Sequence, residues 1–512
     1  MIVATAFLFQ RIPKGFLPSE DVGRFDISTE GVQGIGFDEM ARHQQQVSDI
    51  LAKDPNIAGF LSNLGGGPQG STGATNSGRY QIDLKPRDQR KLSVDDIISE
   101  LRPKIAQVPG IRAFMVNRPP INLGGTFGAR SLYQFTLQDT DTAELYRWAP
   151  IMEGKMRDLP GLVDVNSDLQ LKNPQIRIDM DRDKISSLGL TVNQVETALY
   201  NAYGTRQVST IYAPNNQYQV IMNVAPEYQA DPSALSMLYV RSTSGNLVPL
   251  DTVAKVRTNA GPFSVNHNGQ LPAVTISFNL NPDVALGDAV DAVERTATAT
   301  LPATVATSFQ GTAQAFAASL QGLGLILVMA IVVIYIVLGV LYESFTHPLT
   351  ILSGLPAAGF GALLTLLIFK TDLSLYAFVG IIMLVGLVKK NGIMMVDFAV
   401  EAQRQHGKTP AEAIHEACLV RFRPIMMTTM SALVGTLPIA LGLGAGAESR
   451  RPLGLAVVGG LLVSQLLTLY ITPVYYVYIE GARLRLTRRR QAPMPVPATA
   501  AAHAAHMQAD AH

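Results

Sequence analysis

Five apolar segments in the C-terminal part of the chain constrain its fold more than any other feature. Each is about 19 residues or longer, which is close to the length that a helix needs to cross a bilayer. Because lipid offers no partner to backbone polar groups, only helices and closed barrels span a membrane. The sequence therefore predicts an α-helical transmembrane bundle built from residues 323–341, 347–369, 373–399, 424–443 and 453–479.

The third segment carries two adjacent lysines, Lys389 and Lys390, near its middle. A charged side chain at the centre of a bilayer costs at least ~2.5–3.5 kcal/mol, so it is expected only where it has a partner or a task. The usual task is an ion or proton pathway. No other apolar segment has an acidic residue in mid-span, and Glu343 and Asp397 lie at helix ends. The missing counter-charge predicts that the chain works within a larger assembly.

The composition fits neither a purely soluble nor a purely membrane protein. Hydrophobic residues make up 47% of the chain, yet residues 11–311 form one long polar region. With 16% charged residues and a formal net charge of +1, nothing indicates a nucleic-acid partner. The single cysteine, Cys418, excludes an internal disulfide framework and a cysteine metal cluster. Residues 1–10 are apolar but too short to span a bilayer, as expected for the end of a transmembrane helix.

Basic residues set the expected orientation in the membrane. Arg404, Lys408, Arg421 and Arg423 lie between the third and fourth segments, and five arginines follow the last one. The positive-inside rule places both regions in the cytoplasm, so the polar region lies on the opposite, periplasmic side. The tail, residues 486–512, is rich in Pro, Ala and His and is predicted to be disordered.

The polar region contains a repeated pattern of strands and helices. The first unit reads β-α-β-β-α-β, the ferredoxin-like order, and Ser93-x-x-Asp96 within it predicts a capping box. The predicted fold class is an α+β domain of two ferredoxin-like βαββαβ units, with an insertion at 204–268, joined to an α-helical transmembrane bundle. The second unit is predicted at 133–138, 142–157, 162–167, 175–180, 191–203, 273–279, 286–299 and 305–310.

Four motifs lie in register along the chain: FLPSED at 16–21, YESFTHP at 342–348, GLVKKN at 386–391 and RFRPIMMT at 421–428. Together they resemble the resistance–nodulation–division (RND) efflux pumps of the hydrophobe/amphiphile, AcrB-like branch. Within that branch the resemblance is greatest to multidrug pumps that form mixed trimers of two related subunits. It extends from residue 1 to about residue 485.

The resemblance implies that the chain corresponds to the second half of such a pump. The first half would carry an intramembrane aspartate pair, which would supply the counter-charge that the lysines lack. The chain expressed alone is then expected to support no efflux. The implied parts are the truncated end of a transmembrane helix (1–12), a first porter subdomain (13–132), a second porter subdomain (133–203 and 269–316), a docking subdomain (204–268), five transmembrane helices (317–485) and a cytoplasmic tail (486–512).

The resemblance further implies a secondary transporter and not an enzyme. Its expected activity is proton-driven antiport of small amphiphilic drugs across a bacterial inner membrane. The expected partners are the missing N-terminal half, other protomers of a trimer, a periplasmic adaptor and an outer-membrane channel. No cofactor is expected, and protons are the coupling ion. An ion gradient as the energy source agrees with the absence of a nucleotide-binding loop from the sequence. Gly407-Lys408-Thr409 resembles the end of such a loop, but the first glycine that the loop needs is replaced by Ala402.

The expected proton relay consists of Lys390, Asn391, Thr428 and Arg421. Lys390 matches the family's relay lysine, whose pairing changes as nearby aspartates take up protons. Snorkelling to an interface is the alternative, and it is hard from mid-span. Thr428 matches a relay-associated threonine; the alternative is that its hydroxyl only bonds a carbonyl oxygen of its own helix. Arg421 matches an arginine at the cytoplasmic mouth of the proton route; the alternative is that its charge only sets the membrane topology. The role of Lys389 stays open.

The expected substrate contacts all lie in the polar domain. A glycine-rich loop at 65–73 resembles a mobile loop between substrate pockets, and an ordinary surface loop is the alternative. Core packing is the competing interpretation for Phe114. The full set is Gly66, Gly67, Gln81, Phe114, Asn117 and Arg118.

Three other functions stay open. A pump of the same scaffold that exports metals would need thioether ligands in its cleft, but Met152 and Met156 share a helix face with Leu145 and Trp148, which favours core packing. A lipid exporter on the same scaffold belongs to this first alternative. A protein-translocation accessory would have six spans and a smaller periplasmic domain. The third possibility is a truncated fragment that binds without transporting.

Overall fold

The computed structural model begins with a short helix, α1 (Ile2–Arg11). Three expected substrate contacts, Gly66, Gly67 and Arg118, lie outside the described residues, as do most of the glycine-rich loop and the tail beyond residue 490. The structure describes residues 1–65, 75–117, 130–229, 231–281, 284–444 and 446–490, without the side chains of 320, 321 and 484–490.

A four-stranded antiparallel sheet forms the first α/β unit. Across the sheet the strands follow the order β2-β3-β1-β4. Helices α2 and α3 cover one face, where the core brings together Phe25, Met40, Tyr80 and Leu101. The elements are β1 (Arg24–Gly31), α2 (Phe37–Ala52), β2 (Ile57–Leu64), β3 (Ser77–Leu84), α3 (Val94–Ile105) and β4 (Ile111–Val116).

Helix α3 begins at the capping box that the sequence predicts. Ser93 Oγ accepts a hydrogen bond from the Asp96 backbone N–H (3.2 Å), and Asp96 Oδ2 accepts one from the Ser93 N–H (3.1 Å). The two bonds satisfy donors that a helix start leaves unpaired. Asp21 also holds this end, because the Val94 N–H donates to its Oδ2 (3.3 Å). The FLPSED motif is thus anchored to α3.

The second unit starts with β5 (Tyr133–Gln138), α4 (Thr142–Arg157) and β6 (Leu162–Ser167), after which the chain leaves the sheet. The excursion contains β7 (Asn173–Met180), α5 (Arg182–Ser187), α6 (Val192–Tyr203), β8 (Arg206–Ala213), β9 (Asn216–Met222), α7 (Pro226–Gln229), a 3₁₀ helix (Pro232–Met237), β10 (Tyr239–Arg241), β11 (Leu247–Pro249), α8 (Leu250–Val253), β12 (Ala254–Gly261) and β13 (His267–Asn268).

This excursion is longer than the sequence predicts. Residues 175–180 and 191–203 are predicted to belong to the second unit, but β7 pairs with β12 and not with the main sheet. Helix α6 contributes Val195 to a core that also holds Leu235 and Leu250 of the excursion. The difference has a simple cause, because alternating hydrophobicity identifies a strand but not the strand it pairs with.

The chain then returns through β14 (Leu271–Leu280), α9 (Leu286–Thr300) and β15 (Ala306–Gly311). The main sheet has the order β6-β14-β5-β15, and β13 pairs with the start of β14. This order repeats that of the first sheet, strand for strand. Met152 and Met156 are fully buried with Phe135 and Ile276, so the prediction that they are core residues is confirmed.

Five helical segments of the described chain are long and apolar enough to cross a membrane, which agrees with the five predicted spans. The fourth starts earlier than predicted, because Thr409 caps it and Pro424 lies inside the helix. Arg421 and Arg423 therefore lie in a helix and not in a loop. The segments are α10 (Thr312–Tyr342), α11 (Thr346–Leu352) with α12 (Leu355–Ile368), α13 (Leu375–His406), α14 (Pro410–Leu441) and α15 (Ala447–Arg490).

Helix α15 packs against α12, α13 and α14 through closely approaching backbones. A Cβ atom added at Gly459 would lie 1.9 Å from Thr365 Oγ1, and one at Gly454 would lie 2.4 Å from the Ala440 nitrogen. Small residues at such contacts let membrane helices approach closely. The glycines therefore place α15 at the centre of the described bundle.

Candidate functional site

Lys390 lies on an exposed stripe of α13, in the middle of the third apolar segment. Val379, Met383 and Gly386 precede it on this stripe at spacings of three or four residues, and Val379 is 43% exposed. Asp397 follows two turns further along, and it is also exposed. Within the described part of the chain Lys390 makes no ion pair, so its charge faces away from the helices around α15.

Asn391 points to the other side of α13 and is buried. Its Nδ2 donates hydrogen bonds to Thr429 Oγ1 of α14 (3.2 Å) and to Gln465 Oε1 of α15 (3.1 Å). Thr429 Oγ1 in turn donates to Gln465 Oε1 (2.9 Å). The three side chains form a buried polar triad that joins three membrane helices at the level of Lys390.

Thr428, the expected relay threonine, does not contact this triad. Its hydroxyl donates to the Ile425 carbonyl oxygen of its own helix (3.1 Å), which is the alternative set out above. The sequence interpretation missed Thr429 and Gln465. The available signal was Gln465 itself, because it is the only amide side chain in the last apolar segment.

Arg421 lies in α14 two helical turns before Thr429, or about 12 Å along the axis. Its guanidinium carbon lies 5.4 Å from the ring centroid of Phe398, a cation–π distance. Its Nε is buried and has no hydrogen-bond partner among the described residues. The structure therefore does not bring Arg421 together with Lys390, Asn391 or Thr428.

Gln81 and Phe114 lie on the sheet face of the first unit that α2 and α3 leave uncovered. Gln81 pairs across strands with Asp26, and Phe114 pairs with Ser28 on the other side of β1. Since cross-strand partners point to the same face, both side chains belong to one surface, two strands or roughly 10 Å apart. Gln81 is exposed, whereas Phe114 is 5% exposed beneath the guanidinium of Arg112.

Asn117 has a structural position at the end of β4. Its Nδ2 donates to Asp95 Oδ1 (3.1 Å) and to the Glu20 carbonyl oxygen (3.3 Å). It thereby joins the sheet to the FLPSED motif and to the first turn of α3. Nearby, burial acts to raise the pKa of Asp21, but the hydrogen bonds and charge of Arg90 outweigh it and hold that pKa below its usual value.

The two α/β units meet through buried carboxylates. Glu30 of the first unit is 4% exposed; Arg130 lies 3.0 Å away, and Gln170 Nε2 donates to Glu30 Oε1 (3.0 Å). Asp164 of the second unit forms an ion pair with Arg102 of the first. A buried carboxylate is tolerated only when it is paired in this way. These contacts fix how the open sheet face sits beside the second unit.

A second group of carboxylates lies where the polar domain meets the membrane helices. Asp372 precedes α13, and the next residue, Leu373, donates its N–H to the Pro13 carbonyl oxygen (2.8 Å). Burial, together with the negative charge of Asp288, raises the pKa of Asp372. Burial and the charge of Asp372 raise the pKa of Tyr133 to about 12.

The described residues contain no group of three or more His, Cys, Asp or Glu side chains that could hold a metal ion. The methionines that a metal exporter would use as thioether ligands are divided between interior and surface. Met40, Met115, Met152 and Met156 are buried in the cores of the two units, and Met222 and Met237 are exposed on the excursion.

Two sheet units joined to five described helices of spanning length, with a lysine in mid-span beside a buried polar triad, are the features of a membrane protein with a large polar domain. The sequence matches the model of the AcrB/AcrD/AcrF family over residues 1–480, and the chain belongs to this family. The match confirms the predicted family.

Relatives and solved structures agree with this assignment. The chain is 46% identical over 497 residues to multidrug resistance protein MdtC of Salmonella enteritidis PT4 and to that of Salmonella typhimurium. Each alignment covers 96% of this chain and 48% of the relative, so the chain spans about half the length of the curated relatives it matches. A crystal structure of a heavy metal efflux pump has the same fold, with a TM-score of 0.84 over 94% of this chain and 50% of that chain at 24% identity.

Proposed function

We propose that this chain is the C-terminal half of a proton-driven multidrug efflux pump, which exchanges protons for small amphiphilic drugs across the inner membrane. Family membership and the 46% identity to proteins named for multidrug resistance support this proposal. The pump would work as a trimer with a periplasmic adaptor and an outer-membrane channel. The other half would correspond to the part of the relatives that this chain does not cover.

The position of Lys390 carries the proposal. An unpaired cation in mid-span costs at least ~2.5–3.5 kcal/mol, and this one faces away from its own helices among apolar neighbours. A carboxylate pair on a helix of the other half would remove that cost. When those carboxylates take up protons, the lysine loses its partner, and the helices that carry the two groups change their contacts. A potential of 100 mV supplies ~2.3 kcal/mol for each charge moved.

The other expected relay residues take separate places in this scheme. Asn391 would transmit a change at Lys390 to α14 and α15 through the triad. Thr428 would act from the neighbouring face of α14. Arg421 would serve the cytoplasmic mouth, because it lies about two turns away from the triad and the positive-inside rule places its end of α14 in the cytoplasm.

The polar domain would supply the periplasmic drug cleft. We interpret its two units as ferredoxin-like porter subdomains, at 13–132 and at 133–203 with 269–316, because the two sheets share one strand order. Gln81 and Phe114 lie on the open face of the first sheet, where a drug could lie between the units. Gly66, Gly67, Asn117 and Arg118 remain proposed contacts of the same cleft.

Residues 204–268, the later part of the excursion, would form the docking subdomain. Its β8–β9 hairpin is exposed over almost its whole length, and Tyr212 and Tyr218 are 76% and 56% exposed. Exposed apolar and aromatic surface of this kind marks sites of protein association. Such a hairpin suits contact with a neighbouring protomer or with the channel.

Dye efflux from an efflux-deficient bacterial strain tests the proposal. The strain would produce this chain together with the first half of a pump of the MdtC type. We expect Lys390→Ala to abolish energy-dependent efflux while Lys389→Ala, one residue away on the same helix, retains more of it. A proton uncoupler should have the same effect as Lys390→Ala. Efflux at the original rate with Lys390→Ala, at matched membrane levels, would refute the proposal.

A further inference from the structure

A line of buried polar side chains follows one face of α15 from its middle towards its C-terminal end. Its members are separated by three or four residues, which keeps them on a single helix face. They are between 0% and 7% exposed. Fifteen residues of helix cover about 22 Å, enough to lead from the middle of a bilayer to its surface. The members are Gln465, Thr468, Thr472, Tyr476 and Glu480, here called the α15 polar stripe.

The upper part of the stripe is fully hydrogen-bonded. Gln465 Oε1 accepts from Asn391 and Thr429, and the Thr468 hydroxyl shares a hydrogen bond with Ser464 (3.1 Å). Asn391 directly follows Lys390 along α13. The stripe therefore begins at the level of the mid-span lysine, on the inner side of the helix that carries it.

The lower part of the stripe is buried and only partly paired. Thr472 Oγ1, Tyr476 Oη and Glu480 Oε2 have no hydrogen-bond partner among the residues that the structure describes. Buried polar groups without partners are unfavourable, and apolar side chains would fill the same space without that cost. Three such groups on successive turns of one helix face indicate a place for exchangeable partners, either protons or the water molecules that carry them.

Charged and titratable groups from four helices surround the lower end. The Glu480 carboxylate forms an ion pair with Arg483 (3.1 Å), and the His347 ring of α11 stacks on Tyr476 with centroids 6.1 Å apart. Tyr342 of α10 meets the same histidine edge-on at 6.0 Å. Arg404 of α13 acts electrostatically on both His347 and Tyr476, and Asp397 of α13 acts on Tyr342.

We propose that the α15 polar stripe is a proton conduit from the level of Lys390 to the cytoplasm, with Glu480 as its terminal proton-binding carboxyl group. Each hydroxyl accepts a proton on its lone pair and passes its own proton to the next acceptor, through ordered water where needed. At the end the Glu480 carboxylate binds the proton as a carboxylic acid and releases it to the cytoplasm. This inference rests on the proposed function, because a proton must be driven through the bundle for a conduit to have a task.

A proton fits the stripe better than a metal ion. Glu480 is the only carboxylate in the stripe itself, and the described residues contain no cluster of metal-ligating side chains. Arg404 and Arg483 would repel a cation that kept its charge at this end. A proton would instead neutralise the Glu480 carboxylate, whose Oε2 is buried without a hydrogen-bond partner among the described residues.

Near-isosteric variants test the conduit by dye efflux, in a strain that produces this chain together with the first half of a pump. We expect Tyr476→Phe and Glu480→Gln each to lower proton-coupled efflux about 10²-fold, the lower end of the loss that follows removal of a proton-transferring group. Both variants should alter the way efflux depends on cytoplasmic pH. They should also alter the solvent deuterium isotope effect on efflux. Tyr478→Phe is the matched control, because Tyr478 lies on the same helix but is 75% exposed.

The outcomes separate this inference from the proposed function. If Lys390→Ala abolishes efflux while Tyr476→Phe and Glu480→Gln keep the original rate and pH profile, the conduit is refuted and the proposed function stands. If Lys390→Ala leaves efflux unchanged, the proposed function and the conduit that rests on it are both refuted.

Infrared spectroscopy of this chain in lipid nanodiscs gives a readout that does not depend on transport. The conduit predicts a pH-dependent C=O stretching band from a protonated carboxyl group, which Glu480→Gln removes and Asp397→Asn leaves in place. An unchanged band in Glu480→Gln would refute the assignment of Glu480 as the proton-binding group.

Discussion

Replacement of Gln465 by leucine should weaken the contact between three membrane helices by an amount that the structure allows us to estimate. Gln465 Oε1 accepts two buried hydrogen bonds, from Asn391 (3.1 Å) and from Thr429 (2.9 Å). Hydrogen bonds between membrane helices average ~0.6 kcal/mol each, with a maximum of ~1.7. The leucine fills a similar volume, so little is added for a cavity. Loss of both bonds should lower the free energy of unfolding by about 1.2 kcal/mol.

The loss should stay near this value because the Asn391 amide keeps a partner and the Thr429 hydroxyl is free to donate to a carbonyl oxygen of its own helix instead. Asn391 Nδ2 keeps its hydrogen bond to Thr429 Oγ1 (3.2 Å) after the substitution. A fully orphaned buried donor would cost ~1–3 kcal/mol. Asn391→Leu, which removes the shared donor, should therefore be at least as harmful as Gln465→Leu.

A double-mutant cycle measures the bond directly. Thr429→Val and Gln465→Leu, alone and together, would be compared by steric trapping of the chain in bicelles. We expect a coupling energy of about 0.6 kcal/mol. The exposed pair Met427→Leu and Tyr470→Phe is the control, with no coupling expected. A coupling energy of zero between Thr429 and Gln465 would show that the triad does not hold the helices together.

Three further predictions follow from the described contacts. Arg90→Ala should cost about 1–3 kcal/mol, since it removes the nearer of the two arginines that pair with Asp21. Chemical denaturation should show this loss of stability shrinking below about pH 4, where the carboxyl group becomes protonated. Because the pKa of Asp372 is raised, ionisation of its carboxyl group disfavours the folded state as pH rises. Asp372→Asn should therefore raise the melting temperature at pH 8 and leave it unchanged at pH 3. An equal effect at the two pH values would contradict this prediction. Gly459→Val should prevent the approach of α15 to Thr365 and abolish the folded bundle, whereas Gly481→Val, with open space around its Cβ, should be tolerated in a thermal-shift assay.

Local features of this fold could be predicted from the sequence because each depends on a few neighbouring residues. The five spans follow from hydropathy, and the α3 start follows from Ser93 and Asp96. The start of α14 was missed because its first turns are polar, so hydropathy marks only the later part. The partner of β7 was missed because strand pairing is set by tertiary contacts that no local pattern records.

The candidate site shows the same limit at the scale of one residue. Thr428 and Thr429 are neighbours in sequence, and they point about 100° apart on α14. Only the packing of α13 and α15 decides that Thr429 completes the triad while Thr428 bonds its own helix. Gln465 was missed for a related reason, because an amide in an apolar segment gains meaning only when its partners are known.

The arrangement of α13 indicates how a change at one lysine would reach the rest of the bundle. Lys390 and Asn391 are consecutive, so the exposed charge and the buried amide move together whenever α13 turns or slides. Asn391 is hydrogen-bonded to both α14 and α15, and a packed bundle responds to strain by shifting between discrete arrangements. On the proposed mechanism, the loss of a partner at Lys390 would therefore displace α13, α14 and α15 as one body. Because the α15 polar stripe starts at the same triad, that displacement would also open or close the route by which the proton leaves.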